Sequence, residues 1–279
     1  MTSAPERTAD YHADNEGRLS STIARQLVMR TPAHAKAMLD GQLTFDSDAM
    51  TVGTAVHQML LRDDRLAVLP FDSYRTKEAQ AERDVARANG RVPILRDKFD
   101  EAREIAQHVN GQILEAGVKP IPFTEGTAEH VIRWDANENV GCRSLVDWLR
   151  DDRLFIDDLK TTGDASPEKF RRAVFNLGYD IQAAFYTRAV ECAYGVTPTF
   201  RFVVVETTPP YPVVIYQLSA RAMASANVKV DAAIQLWHEC QQSGEWPAYT
   251  RELVEVDIPG WASDEADAWG DVDLEAVPF

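Results

Sequence analysis

A mixed α/β (α+β) fold is predicted by this sequence: a mixed central sheet containing an antiparallel meander, flanked by helices and preceded by a helical N-terminal part. Three observations predict it. Residues up to about 116 carry helix caps and helical apolar spacing. From Thr127 the pattern shortens to the period of strands, broken by turn-rich segments. Helical stretches then alternate with two more apolar runs, which places helices over a sheet.

In chain order, Ser20 or Ser21 caps a helix through Arg30, because a short hydroxyl can accept from an unpaired N–H of the first turn. Thr31-Pro32 restarts a second helix, with Thr as N-cap and Pro at the first helical position, where its missing N–H costs nothing; Gly41 ends it. A third spans Asp48 to Leu61, with Val52, Val56, Met59 and Leu60 as its apolar stripe. Residues 63–96 are charged and lack a clear period, and an amphipathic helix follows from Asp97 to Ala116. Thr127 to Trp134, Val140 to Leu149 and Leu154 to Lys160 read as the meander, separated by residues 135–139 and 150–153. Ser166-Pro167-Glu168 opens a helix to Asn176, and Asp180 to Tyr194 forms another, stopped by Gly195. Strands return at Thr199 to Glu206 and Val213 to Leu218, and Ser219 caps a closing helix to Gln242. The organisation expected is a flexible N-terminus (1–18), a single domain (19–250) and an acidic C-terminal tail (251–279).

Several function classes are disfavoured by composition. No apolar stretch is long enough to cross a bilayer and no charged-then-apolar leader opens the chain, so a cytoplasmic location without membrane contact is expected. Cys142, Cys192 and Cys240 lie about fifty residues apart with no CxxC pair, which argues against a disulfide framework, a zinc knuckle and an iron–sulfur cluster. The net charge of −15 is unusual for a protein that handles nucleic acid. Residues 252–279 hold nine acids and no Lys or Arg, so more than half of that excess sits in the tail.

The chemistry concentrates at Asp158-Leu159-Lys160, which ends the apolar run Leu154-Phe155-Ile156. Alternate residues of a strand share a face, so Asp158 and Lys160 emerge together, and a hairpin partner can bring Asp147 beside them. Two carboxylates that close are unfavourable unless a cation lies between them. Hard oxygen ligands suit magnesium, or manganese as its substitute, in a site for phosphodiester hydrolysis. Asp157 points to the opposite face by alternation, and a bulge would exchange the two. Glu129, inside the first meander strand, either joins this pocket as a further carboxylate or lies on the solvent face. His57 follows Gly53 by one helical turn, on the same face. Gln182 and Tyr186, also one turn apart, either contact phosphate or form the polar edge of a packed helix. Lys169, Arg171 and Arg172, with Arg188 on the next helix, either track a DNA backbone or are simply solvated.

The set Gly53-Thr-Ala-Val-His57, Val146-Asp147, Asp158-Leu159-Lys160 and Gln182 to Tyr186, in that order, resembles the PD-(D/E)xK nuclease superfamily, with its restriction-endonuclease-like core. The RecB/RecE-like exonucleases of the exodeoxyribonuclease VIII type are the nearest branch. Leu19-Ser20-Ser21, Arg30-Thr31-Pro32-Ala33-His34 and Gly178-Tyr179-Asp180-Ile181-Gln182 add to the likeness. Val146 stands where the superfamily's nominal proline would be. The resemblance implies that His57, Asp147, Asp158 and the Leu159 backbone carbonyl hold one or two Mg²⁺ ions, with Glu129 contributing through water. Lys160 would orient or help deprotonate the attacking water, while Gln182 and Tyr186 position the strand. It further implies 5′-to-3′ digestion of linear double-stranded DNA ends, leaving 3′ overhangs for a single-strand annealing protein in phage-type recombination or repair, and a homo-oligomer.

The terminal Asp271-Val-Asp-Leu-Glu-Ala-Val-Pro-Phe279 resembles the tip of bacterial single-stranded-DNA-binding proteins. Pro278 and Phe279 would then dock into a protein that recognises such tips; the alternative is a solubilising tail. Two other functions compete with the exonuclease: a restriction or repair endonuclease of the same superfamily, and a noncatalytic DNA-binding scaffold of the same fold.

Overall fold

The computed structural model describes residues 17–43, 52–61 and 66–257. The chain divides into two compact units, Met1–Pro247 and Ala248–Phe279. In the second, residues 248–257 carry no helix or strand. Pro278 and Phe279, the expected partner-binding tip, lie outside the described residues, as does the start of the third expected helix before Val52.

The first unit begins with a two-residue strand β1 (Leu19–Ser20) leading into α1 (Ser21–Met29), and Ser20 Oγ accepts from the Ile23 N–H as the N-cap. Helix α2 (Pro32–Leu39) follows with Pro at its first position, then α3 (Val52–Leu60). Between α3 and the long α5 (Arg96–Glu115) the structure holds a unit the sequence did not announce: β2 (Leu66–Leu69), α4 (Lys77–Ala88) and β3 (Val92–Leu95). The two strands pair in parallel across the helix. Only Ala79 and Ala86 of α4 are buried, so it has no apolar stripe to read, and each strand is four residues long.

The meander is β4 (Gly126–Asn137), β5 (Val140–Arg150) and β6 (Phe155–Thr162). After α6 (Pro167–Asn176) and α7 (Tyr179–Tyr194) come β7 (Thr199–Glu206), parallel to β6, and β8 (Val213–Tyr216), antiparallel to β7. Helix α8 (Ala220–Ser243) closes the unit, capped by Ser219 Oγ. The main sheet runs β1-β5-β6-β7-β8, with β4 on the other edge of β5.

Both faces of this sheet are covered, as β7 shows by strict alternation. Phe200, Phe202 and Val204 enter a core built with α1, α7 and α8, while Val203 and Val205 enter a second core built with α3 and α5. The result is a three-layer α/β/α arrangement. A strand buried on both sides reads as a continuous apolar run rather than an alternating one. Among the described residues no helix is long and apolar enough to cross a membrane.

Cys142 is fully buried and burial pushes its thiol pKa up to about 12, Cys240 is buried, and Cys192 is exposed. Since the thiolate is the reactive form, a disulfide reagent at pH 8 is expected to titrate one thiol quickly in the native protein and all three in denaturant. Rapid reaction of two or three native thiols would contradict this core.

Candidate active site

Strands β5 and β6 pair only through Trp148↔Asp157 and Leu149↔Ile156, and then diverge. On the same chain, β1 contacts β5 at Leu19↔Cys142 and Ser20↔Arg143, so Asp147 sits between the two short ladders. Where the Leu159 N–H would have continued the pairing with β5, it donates to Asp147 Oδ2 at 3.0 Å instead. A carboxylate thus satisfies a strand N–H that the splay leaves unpaired.

The neighbouring hairpin bends at the same level. Glu129 falls between the pairs Ala128↔Trp148 and His130↔Val146, across from Asp147, and takes a left-handed φ of 47°. Beyond this point the faces exchange. Ile132, Trp134, Cys142 and Val146 pack in the first core, whereas Ala128 and Trp148 pack in the second. A left-handed residue inside a strand inverts the alternation, and here it puts Asp147 on the seam between the two cores.

Four elements deliver side chains to this seam. From β6, Asp158 is fully buried and Lys160 Nζ is ion-paired with Asp158 Oδ2. The Lys160 ammonium also lies 4.8 Å above the ring of Tyr179, at the first position of α7. From α7, Gln182 Nε2 donates to Asp158 Oδ1 at 2.9 Å, while its own Oε1 is buried without a hydrogen-bond partner. From α3, His57 Nε2 lies 3.0 Å from Asp147 Oδ2. Helix α3 comes this close because of Gly53: a Cβ there would fall 2.4 Å from Thr161 Oγ1 and 3.2 Å from its Cβ, on β6.

Charges in this volume perturb one another. Burial raises the Asp158 pKa to about 6, helped by the neighbouring Asp147 and opposed by Lys160. For Asp147 burial acts in the same direction, but His57, Lys160 and the Leu159 N–H outweigh it and hold its carboxyl below the usual range. Burial disfavours the cations too, yet the two carboxylates raise both His57 and Lys160 above their ordinary values.

Asp157 is accounted for differently. It faces the second core, where Oδ1 pairs with Arg201 Nε at 2.6 Å and Oδ2 accepts from the Phe123 N–H at 3.1 Å. Arg201 in turn donates to the Pro120 carbonyl at 2.7 Å and lies over the Phe155 ring at 4.7 Å. This is a buried structural pair on the face away from Asp158.

Of the remaining residues singled out from the sequence, Tyr186 is turned toward α1, its hydroxyl 3.3 Å from Ser21 Oγ, which donates to it. Arg172 pairs with Glu168 one turn away at 2.6 Å on the exposed side of α6, and Arg188 is held by Asp231 and Asn227 of α8. Lys169 and Arg171 are exposed on α6. The sequence does not single out Tyr179 or Thr161 as contacts of the reacting groups. A Tyr directly after the left-handed Gly178, and a small side chain facing the helical glycine, were the only signals.

Among the described residues no group of three or more His, Cys, Asp or Glu side chains stands close enough together to hold a metal ion. What is present is the His57–Asp147 pair and, from the next strand, Asp158 held by Gln182, whose Oε1 has no hydrogen-bond partner among the described residues. Carboxylate oxygens and the buried amide oxygen of Gln182 are the donor types that suit a hard divalent cation completed by water and phosphate.

Residues 20–256 match the family described as PDDEXK-like domain of unknown function (DUF3799). A crystal structure from Eubacterium rectale, described as that of a candidate exonuclease, superposes with a TM-score of 0.64 at 13% identity, covering 97% of this chain and 100% of the other. At that identity the likeness is one of fold. A phage-related exonuclease from Haemophilus somnus 129PT matches at TM-score 0.34 and 14% identity over 82% of this chain and 96% of its own. An alkaline exonuclease from Laribacter hongkongensis matches at 0.34 and 13% over 85% and 96%. No curated protein sequence matches the chain.

Proposed function

This chain belongs to the PDDEXK-like domain family DUF3799, and from that premise we propose that it is a metal-dependent nuclease acting on the ends of linear double-stranded DNA. The observation that carries this reading is the meeting of Asp147, Asp158, Lys160 and His57 at the splay of β5 and β6. His57, Asp147, Asp158 and the Leu159 carbonyl are the groups to hold Mg²⁺ or Mn²⁺. When bound, the cation supplies charge neutralisation at the scissile phosphate and acidifies water.

The protein's own groups supply the rest. Asp147 is fixed by His57 and by the Leu159 N–H, and Asp158 by Gln182 and Lys160, so neither carboxylate has to reorganise when substrate arrives. Lys160, paired with Asp158 and steadied over Tyr179, orients the attacking water and counters the charge that develops on the phosphate oxygens. Glu129, across from Asp147 in the hairpin, would contribute through water.

Exonuclease action is favoured over internal cleavage by the motif resemblance to exodeoxyribonuclease VIII-type enzymes, and with it come 5′-to-3′ polarity, 3′ overhangs, a homo-oligomer and a single-strand annealing partner. The test is digestion of a linear duplex labelled at either 5′ or 3′ end, beside a covalently closed circle, with Mg²⁺, Mn²⁺ or chelator. Early release of the 5′ label from the linear DNA, an intact circle and no reaction in chelator are expected. A cut circle would move the assignment to an endonuclease, and inert linear DNA in both metals would leave only a binding role.

A further inference from the structure

Directly beside Lys160 a cavity of roughly 450 Å³ opens between the end of β6 and helices α6 and α7. Its lining combines the apolar side chains of Phe170, Ala173 and Leu177 and the ring of Tyr179 with Lys160, Lys169, Asp164 and the Thr161–Gly163 segment. Its walls are held in place. Phe170 stacks on Tyr216 at 4.5 Å and 15°, and the Tyr216 hydroxyl donates to the Ala165 carbonyl at 2.6 Å. The loop after β6 is fixed by Ala165 N–H to Glu206 at 2.7 Å and Ser166 N–H to Asp164 at 2.8 Å. The Asp164 carboxylate, also in this lining, is thereby engaged on its own loop. Lys169, in contrast to Arg172 on the same helix, makes no hydrogen bond or ion pair among the described residues, although its stem lines the cavity.

A cavity of this kind matches a nucleotide in size and chemistry: apolar and aromatic side chains for a base, and two lysines for phosphate. It shares Lys160 with the reacting centre, so its occupant is next to the phosphate that Lys160 faces. We propose that it is the subsite for the nucleotide flanking the scissile phosphodiester, with the base against Phe170, Ala173, Leu177 and Tyr179 and the outer phosphate on Lys169. This deepens the nuclease reading and rests on it.

Steady-state digestion of an end-labelled duplex over a salt series tests it with Lys169→Ala and Ala173→Trp. Lys169→Ala is expected to raise KM about fivefold with kcat within twofold, and to reduce the slope of log KM against log salt by about one. Ala173→Trp, which fills the cavity, is expected to raise KM at least about tenfold and to abolish competition by deoxynucleoside monophosphates, which should inhibit the unmodified protein. A melting curve checks that Ala173→Trp is folded, and if it is not, the exposed Lys169 decides alone. Wild-type KM and salt slope in Lys169→Ala, in a protein that digests DNA normally, would overturn the subsite and leave the nuclease standing. Absence of any digestion by the unmodified protein would remove both.

Discussion

Asp158→Asn is expected to reduce DNA digestion by about a thousandfold or more while leaving the fold intact, and Asp157→Ala to do the reverse. The two acids are adjacent in sequence, but only Asp158 faces Lys160, Gln182 and Asp147. The Asn amide keeps an acceptor for Gln182 but withdraws the charge that pairs with the Lys160 ammonium, and since Lys160 is less deeply buried than Arg201 the metal-free protein is expected to melt lower by less than the Asp157 variant does. Removing Asp157 instead strands the Arg201 guanidinium, itself 4% exposed, and unpairs the Phe123 N–H. Breaking a buried pair from one side costs about 3–5 kcal/mol, a fall in Tm on the order of 10 °C, with kcat changed little below the new melting range. Thermal melts and end-label release on both variants decide this. Loss of activity in a fully stable Asp157→Ala, with Asp158→Asn still active, would transfer the reaction centre to the other face of β6.

Gly53→Ala is expected to lower kcat by about a hundredfold although Gly53 touches no substrate. In an unconstrained helix this change stabilises by roughly 1 kcal/mol. Here the added methyl meets Thr161 Oγ1 at 2.4 Å, so α3 must move away from β6, carrying His57 one turn along with it. His57 then loses its 3.0 Å contact with Asp147. Adding Thr161→Ala removes the hydroxyl but leaves a Cβ at 3.2 Å, and partial recovery of kcat is expected. A Gly53→Ala protein that is more stable than the parent and equally active would show that the close approach of helix and strand is not what positions the histidine.

Much of this was legible in the chain because each signal is local. The Thr31-Pro32 restart, the Ser219 cap and the change from helical to strand spacing at Thr127 depend on neighbouring residues only, and the structure forms those elements. Alternation along one strand separated Asp158 from Asp157, since β6 has no bulge between them. The β2-α4-β3 unit was missed because a helix with two buried alanines and two four-residue strands is stabilised by what covers it rather than by its own pattern.

What the sequence by itself determined is which groups are available: two acids, a lysine and a histidine on elements of the right type, with a glycine one turn before the histidine. Only the tertiary structure decided how they are used. The splay of β5 from β6, the left-handed turn at Glu129 and the contact of α3 with Thr161 bring Asp147 to the seam of two cores. The same packing commits Gln182 to Asp158, turns Tyr186 toward Ser21, and opens a cavity beside Lys160. The physical reason is that a side chain's partners are set by contacts between segments 24 to 165 residues apart. Spacing along a helix or strand fixes direction on that element, but not what the opposite element presents.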